Sequence, residues 1–225
     1  MKAKIITIIN LLSGEYGNPK WHSNGDPLSV LVRTVLSQNT SDTNSLRAYQ
    51  SLISIFPRWE DVVAADVADI TTLIKAGGLA NIKAMRIKQL LEVIQLDRGS
   101  LSLDFLEDLP LDEAREWLKN LPGVGDKTAA CVLLFSLGRP ALPVDTHVHR
   151  VARRLGLIGD KVSAEKAHVE LLPLVPPGYV YQFHVLLIEH GRRICKARNP
   201  KCPICVLHKI CPNDEKLPKN FTNNL

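Results

Sequence analysis

No stretch of this sequence approaches the ~20 consecutive apolar residues that a membrane-spanning helix needs, so no membrane role is expected. The start, Met1-Lys2-Ala3-Lys4-Ile5-Ile6-Thr7-Ile8-Ile9, turns polar after a few apolar positions and has no small-residue cleavage site. It does not read as a signal peptide, and the expected setting is cytoplasmic, nucleoid-associated in a prokaryote. No fixed-period repeat, low-complexity tract or alternating strand pattern occurs. Charge of one sign is in only modest excess: 28 Lys and Arg against 23 Asp and Glu, a net +5. That balance is compatible with a polyanionic partner without establishing one. Cysteine is scarce, five in 225 residues, but four of the five fall between Cys195 and Cys211. In a reducing compartment such crowding reads as a metal site rather than as disulfides. Cys131 stands alone in an apolar run and reads as a core residue.

What is present is helix. Leu28, Val30, Leu31, Val32, Val35 and Leu36 populate one face and its flanks in a helix beginning near Pro27. Residues 41–56 continue in the same manner, with Ser41 or Asp42 as N-cap. Residues 82–96 alternate Met85, Ile87, Leu90, Leu91, Val93 and Ile94 with Lys and Gln, a further amphipathic helix. Helices over 111–120, 127–137, 146–155, 163–172 and 179–193 complete an all-α chain, and the polar tail 212–225 is expected to fray.

Between two of these helices lies Leu121-Pro122-Gly123-Val124-Gly125-Asp126-Lys127. Gly123 and Gly125 let the backbone approach another molecule closely, and the N–H groups opening the second helix can bind an anion such as a DNA phosphate. A tight helical hairpin with glycine for steric reasons reads equally well from these residues alone. Lys127 falls in the first turn of the second helix, where the positive end of the helix dipole disfavours an ammonium. The apolar helix behind it suggests burial; both effects favour the neutral, nucleophilic amine. Further on, Asp145 in Pro143-Val144-Asp145-Thr146-His147-Val148-His149 immediately precedes a helix and is expected to cap it. A carboxylate fixed in that way can also stabilise a developing cation. His147 and His149 face different sides of the helix, which suits structural or phosphate contacts better than a shared metal.

Cys195, Cys202, Cys205 and Cys211 are spaced C-x6-C-x2-C-x5-C. Four thiolates complete either a tetrahedral zinc site or an iron–sulfur cluster. Either would pin the loop carrying Lys196, Arg198 and Lys201 as a rigid basic finger for phosphates.

Taken together, Leu121-Pro-Gly-Val-Gly-Asp-Lys127, Val144-Asp-Thr-His-Val148 and the cysteine loop resemble the iron–sulfur branch of the helix–hairpin–helix DNA glycosylases, the endonuclease III-like family. The likeness runs from about Leu28 to Cys211. It implies two helical domains with a DNA groove between them: a six-helix barrel with the hairpin over 25–139, and a cluster domain from 1–24 with 140–225. It implies a [4Fe-4S] cofactor on the four cysteines, damaged double-stranded DNA as partner and a single copy as the working unit. Lys127 would attack C1′ of a damaged nucleotide, an oxidised pyrimidine, with Asp145 assisting, and the strand would be cut by β-elimination. Mismatch-specific relatives carry other residues at the lysine position. By the same likeness Gln38 and Leu79 would enter the duplex as the base is extruded. Much of the family reads Gln-Ala-Thr-Asp where this chain reads Gln38-Asn39-Thr40-Ser41-Asp42, so that, counted from Gln38, the acidic residue is displaced by one position. The alternatives are a mismatch or alkylated-base glycosylase with weak lyase activity, a non-catalytic DNA-binding module, and a zinc-stabilised interaction domain.

Overall fold

The computed structural model describes residues 1–212; the rest of the expected frayed tail, 213–225, lies outside the described residues. Among the described residues there are eleven α-helices joined by turns and short 3-10 segments, and no strand. None of these helices is by itself long and apolar enough to cross a membrane. The chain divides into two compact units, residues 22–141 and residues 1–21 with 142–225.

The second of these begins with α1, Lys2–Tyr16, which buries Ile5, Ile8, Ile9 and Leu12 at helical spacing. The intervening unit contains α2 (Pro27–Ser37), α3 (Asp42–Ile55), α4 (Trp59–Ala64), α5 (Val67–Leu73), α6 (Ala80–Arg98), α7 (Leu111–Lys119) and α8 (Asp126–Phe135). α9 (Thr146–Arg154), α10 (Ala164–Leu171) and α11 (Val180–Arg193) then return to α1's unit. The short α4 and α5 are absent from the periodicity reading, because six or seven residues with one fully buried side chain each leave almost no amphipathic signal.

Helix starts follow local chemistry. The Asp26 side chain accepts from the Ser29 N–H at 2.9 Å, with Pro27 at the first helical position of α2. Ser41, rather than Asp42, caps α3 by accepting from the Asn44 N–H. Ser163 caps α10 in the same way. In the 22–141 unit, α2 is buried along most of its length and packs on both α3 and α8. α8 is buried from Thr128 to Leu134, so it forms the centre of that unit. The segment before α2 lies on the end of α8, with the Asn24 N–H donating to the Phe135 carbonyl and Ser23 Oγ to that of Ser136.

The hairpin is closed by charge. The Asp126 carboxylate at the start of α8 receives Arg115 of α7 at 2.6 Å and Lys119 at 3.4 Å. Partial burial pushes the Asp126 carboxyl up, but the Arg115 hydrogen bond and the two cations outweigh it and hold the group below the usual carboxylate range. A carboxylate depressed in the folded state adds stability above its unfolded pKa and loses it as pH falls through the folded one. We expect Asp126→Asn to cost about 1 kcal/mol in urea unfolding at pH 7, and the gap to wild type to close as pH drops well below ~4. A gap that is unchanged at low pH would show that the pair contributes nothing through its charge.

Candidate active site and cluster loop

In the hairpin, Gly123 has φ +74°, and a Cβ there would lie 2.6 Å from Arg86 Cδ. The positive φ favours glycine there, and any side chain would have to displace Arg86. Gly125 is the N-cap of α8 at φ −104°, exposed, with open space for at least 4 Å around the place a Cβ would occupy, and no side chain caps the helix. Gly125 thus leaves the opening N–H groups of α8 accessible to an anion.

Lys127 follows in the first turn of α8 and is exposed, while the helix behind it is buried as its apolar run suggested. The buried positions of α8 begin one residue later, at Thr128. Lys127, Cys131 and Phe135, each four residues apart on α8, line one cavity of about 390 Å³ within the 22–141 unit. The opposite wall comes from Asn24, Arg33, Thr34, Ser37, Asp42, Ser45 and Tyr49, with the Arg33 guanidinium over the Tyr49 ring at 5.5 Å from its centroid.

The turn after α2 departs from expectation. Gln38 is half-buried and its amide is turned into its own unit: Oε1 accepts from Arg86 at 3.1 Å, while Nε2 faces the Gly123 carbonyl at 3.4 Å. Its neighbour Asn39 is exposed and left-handed at φ +53°. Counted from Asn39, Asp42 comes three positions later, the spacing of the family's Gln-Ala-Thr-Asp, so the apparent displacement vanishes. Leu79 is likewise left-handed, φ +50°, and 54% exposed. Non-glycine residues in that conformation are strained, and together these two mark both expected wedge turns.

In the other unit Asp145 caps α9, its Oδ1 accepting from the Val148 N–H at 2.7 Å. The segment leading into it is held by two buried histidines that sequence reading passed over. His168 Nδ1 bonds the Leu142 carbonyl at 3.0 Å, and His184 Nδ1 that of Pro143 at 2.9 Å. Isolated histidines in helical patterns give no sign of so distant a partner. His147 and His149 have separate partners, Arg150 and the Val162 carbonyl.

Cys195, Cys202, Cys205 and Cys211 line one cavity with Arg154, His190, His208 and apolar side chains. Among the described residues no three ligand-type side chains close on a single metal ion. Four cysteine sulfurs around a shared, largely apolar space supply the full donor set of an iron–sulfur cluster, with no open ligand position needed for a substrate. Arg150 donates to the Cys195 carbonyl, and Arg154 to Cys195 Sγ and to the Lys196 and Ala197 carbonyls, so α9 grips the loop. His190 Nε2 lies 3.5 Å from Cys205 Sγ, and its Nδ1 lies 3.0 Å from the Tyr16 hydroxyl. Burial pulls the His190 pKa down to about 4 and pushes the Cys205 thiol up to about 11. Lys196, Arg198 and Lys201 are all exposed.

Residues 32–177 match the HhH-GPD superfamily of base excision DNA repair proteins, and residues 195–211 match the iron–sulfur binding domain of endonuclease III. A candidate DNA glycosylase of Arabidopsis thaliana is 41% identical over 168 residues, covering 75% of this chain and 57% of its own length. Endonuclease III of Thermotoga maritima is 38% identical over 193 residues, 86% of each chain. Among solved structures, a non-covalent endonuclease III–DNA complex superposes with TM-score 0.81 at 28% identity, covering 96% of this chain and 97% of that one. A trapped endonuclease III–DNA covalent intermediate gives the same TM-score and identity, covering 96% of this chain and 98% of its counterpart.

The two hairpin glycines separate by experiment. Gly123→Ala is expected to cost about 1–3 kcal/mol in urea unfolding through strain and the Arg86 clash, and Gly125→Ala less than about 0.5. Equal costs would show that the positive φ and close approach at Gly123 do not constrain the turn.

Proposed function

From the premise that the chain belongs to the HhH-GPD superfamily of base excision DNA repair proteins, in its endonuclease III branch, we propose that Lys127 and Asp145 carry its chemistry. The protein is a base excision repair DNA glycosylase with associated lyase activity, and its cofactor is a [4Fe-4S] cluster. The observation that carries the residue assignment is the position of Lys127: first turn of α8, directly after the hairpin, on the wall of a cavity. Hairpin N–H groups fix the DNA backbone, which brings the sugar of an extruded nucleotide to the amine. The Lys127 amine attacks C1′ as the base leaves with the bond's electron pair and a proton. The Asp145 carboxylate offsets the positive charge that develops on the sugar. The C1′–O4′ bond then opens, O4′ staying on C4′ as a hydroxyl, to give a Schiff base whose 2′ proton becomes acidic, and β-elimination breaks the 3′ phosphodiester.

Substrate preference follows from the cavity lining. A pyrimidine that has gained oxygens presents extra hydrogen-bonding groups, which suits a wall of Asn24, Arg33, Thr34, Ser37, Asp42 and Ser45. Asn39 and Leu79 face the duplex as the base leaves the stack, with Gln38 held behind them. Cys195, Cys202, Cys205 and Cys211 hold the cluster, which when bound cross-links the loop and supplies electron-transfer capacity. Lys196, Arg198 and Lys201 then meet phosphates.

Borohydride reduction should trap wild-type enzyme covalently on duplex DNA bearing an oxidised pyrimidine, and Lys127→Ala should abolish trapping; normal trapping by that variant would remove the lysine from the mechanism. Asp145→Asn keeps the capping oxygen and should slow single-turnover base release by about 10²–10⁴-fold with DNA affinity retained. An unchanged rate would leave Asp145 as a cap alone. Freshly purified protein should absorb in the visible, and Cys202→Ser should lose that band; colourless protein containing zinc would overturn the ligand assignment.

A further inference from the structure

Three turns of the 22–141 unit, far apart in sequence, are fastened to one helix. Lys83 on α6 is 1% exposed and among the largest fully buried side chains. Its ammonium donates to the Leu36 carbonyl at 2.7 Å and to the Gly77 carbonyl at 2.8 Å. Leu36 sits in the last turn of α2, where carbonyls lack helical partners. Gly77 directly precedes the Gly78–Leu79 turn and presses on α3, since a Cβ there would lie 3.1 Å from Ala48 Cβ. One buried cation therefore pins the end of α2 to the turn that presents Leu79. Burial holds the Lys83 pKa below that of an ordinary lysine, a cost that the two carbonyls offset.

Three residues further along the same helix, Arg86 donates to Gln38 Oε1 at 3.1 Å and lies against Gly123. Gln38 passes that contact on to the Gly123 carbonyl. The turn with Asn39, the turn with Leu79 and the hairpin loop are thus referenced to α6 by Lys83 and Arg86. Leu79 holds a left-handed backbone, which a branched apolar residue keeps only where its surroundings over-determine it.

We propose that Lys83 and Arg86 are positioning residues that hold the Asn39 and Leu79 turns in register against the hairpin, which keeps its own charge lock, so that extrusion of the lesion depends on them while the reaction at C1′ does not. The inference rests on the glycosylase reading above, and the frame itself is independent of which residue attacks. It predicts a split between two activities of one protein. Base release from an oxidised pyrimidine in duplex DNA requires extrusion, whereas β-elimination at an abasic site in a single-stranded oligonucleotide does not.

Under single-turnover conditions, Arg86→Ala should lower duplex base release about ten- to a hundredfold and leave single-strand β-elimination within about twofold of wild type. The fluorescence rise of 2-aminopurine placed beside the lesion, which reports unstacking, should be lost in parallel. Arg86→Lys, which still reaches Gln38, should restore most of both signals. Lys83→Met should give the same split more severely, and if it does not fold, the Arg86 pair decides. Equal loss of both activities in Arg86→Ala, or no loss of duplex base release, would overturn the proposal. Wild-type protein that releases no base and forms no borohydride-trapped complex would instead overturn the glycosylase reading, so the two failures are distinct.

Discussion

The helix α8 starts without a side-chain cap, and within the 22–141 unit the hairpin and the cavity wall that carries Lys127 adjoin that opening. Four helices close their starts with a side-chain oxygen, at Asp26, Ser41, Asp145 and Ser163; α8 is among those that do not. At α8 a bare glycine stands in that place, so the N–H groups keep their capacity for an oxygen from outside the protein. Meanwhile the electrostatics that could be met from within are met one residue on, by Asp126 and its two cations from α7. The hairpin is locked by charge on its protein side and left open on its ligand side. Lys127, next in the chain, inherits that geometry.

Much of this was legible in the sequence because it depends on local chemistry. The hairpin glycines, the cap at Asp145 and the cysteine spacing are all short-range features with a physical reason for each residue. The long helices were legible too, since the buried positions of α2 and α11 favour one face and α8 is a continuous apolar run of helical length. What could not be read was any role fixed by a distant partner. Lys83 sits in a run of lysines and apolar residues where a lysine reads as solvated, yet two carbonyls from other turns draw it inside. Gln38 and Asn39 differ by one position, and only the left-handed backbone at Asn39 decides which side chain points inward. His168 and His184 belong to the same class, ordinary in their own helices and significant only for the carbonyls they hold. The exposure of Lys127 is the converse case: one helical residue separates the buried face from the open one.

The cysteine loop shows how the other unit organises its own parts. α9 begins at Asp145 and, one and two turns later, extends Arg150 and Arg154 to the backbone of the loop. From the opposite side, α11 contributes His190 beside Cys205, with Tyr16 of α1 on the far ring nitrogen. A single nine-residue helix therefore carries a carboxylate at one end and the anchor of the metal-binding loop at the other. Disturbance of the loop has a short mechanical route to the residue that opens that helix.

Cys131 adds a practical consequence. It is the one cysteine outside the 195–211 loop, and it stands a single helical turn from Lys127 on the wall of the same cavity. Its side chain is only 8% exposed, as its apolar run suggested, so a larger residue there would narrow the chamber beside the amine rather than reach solvent.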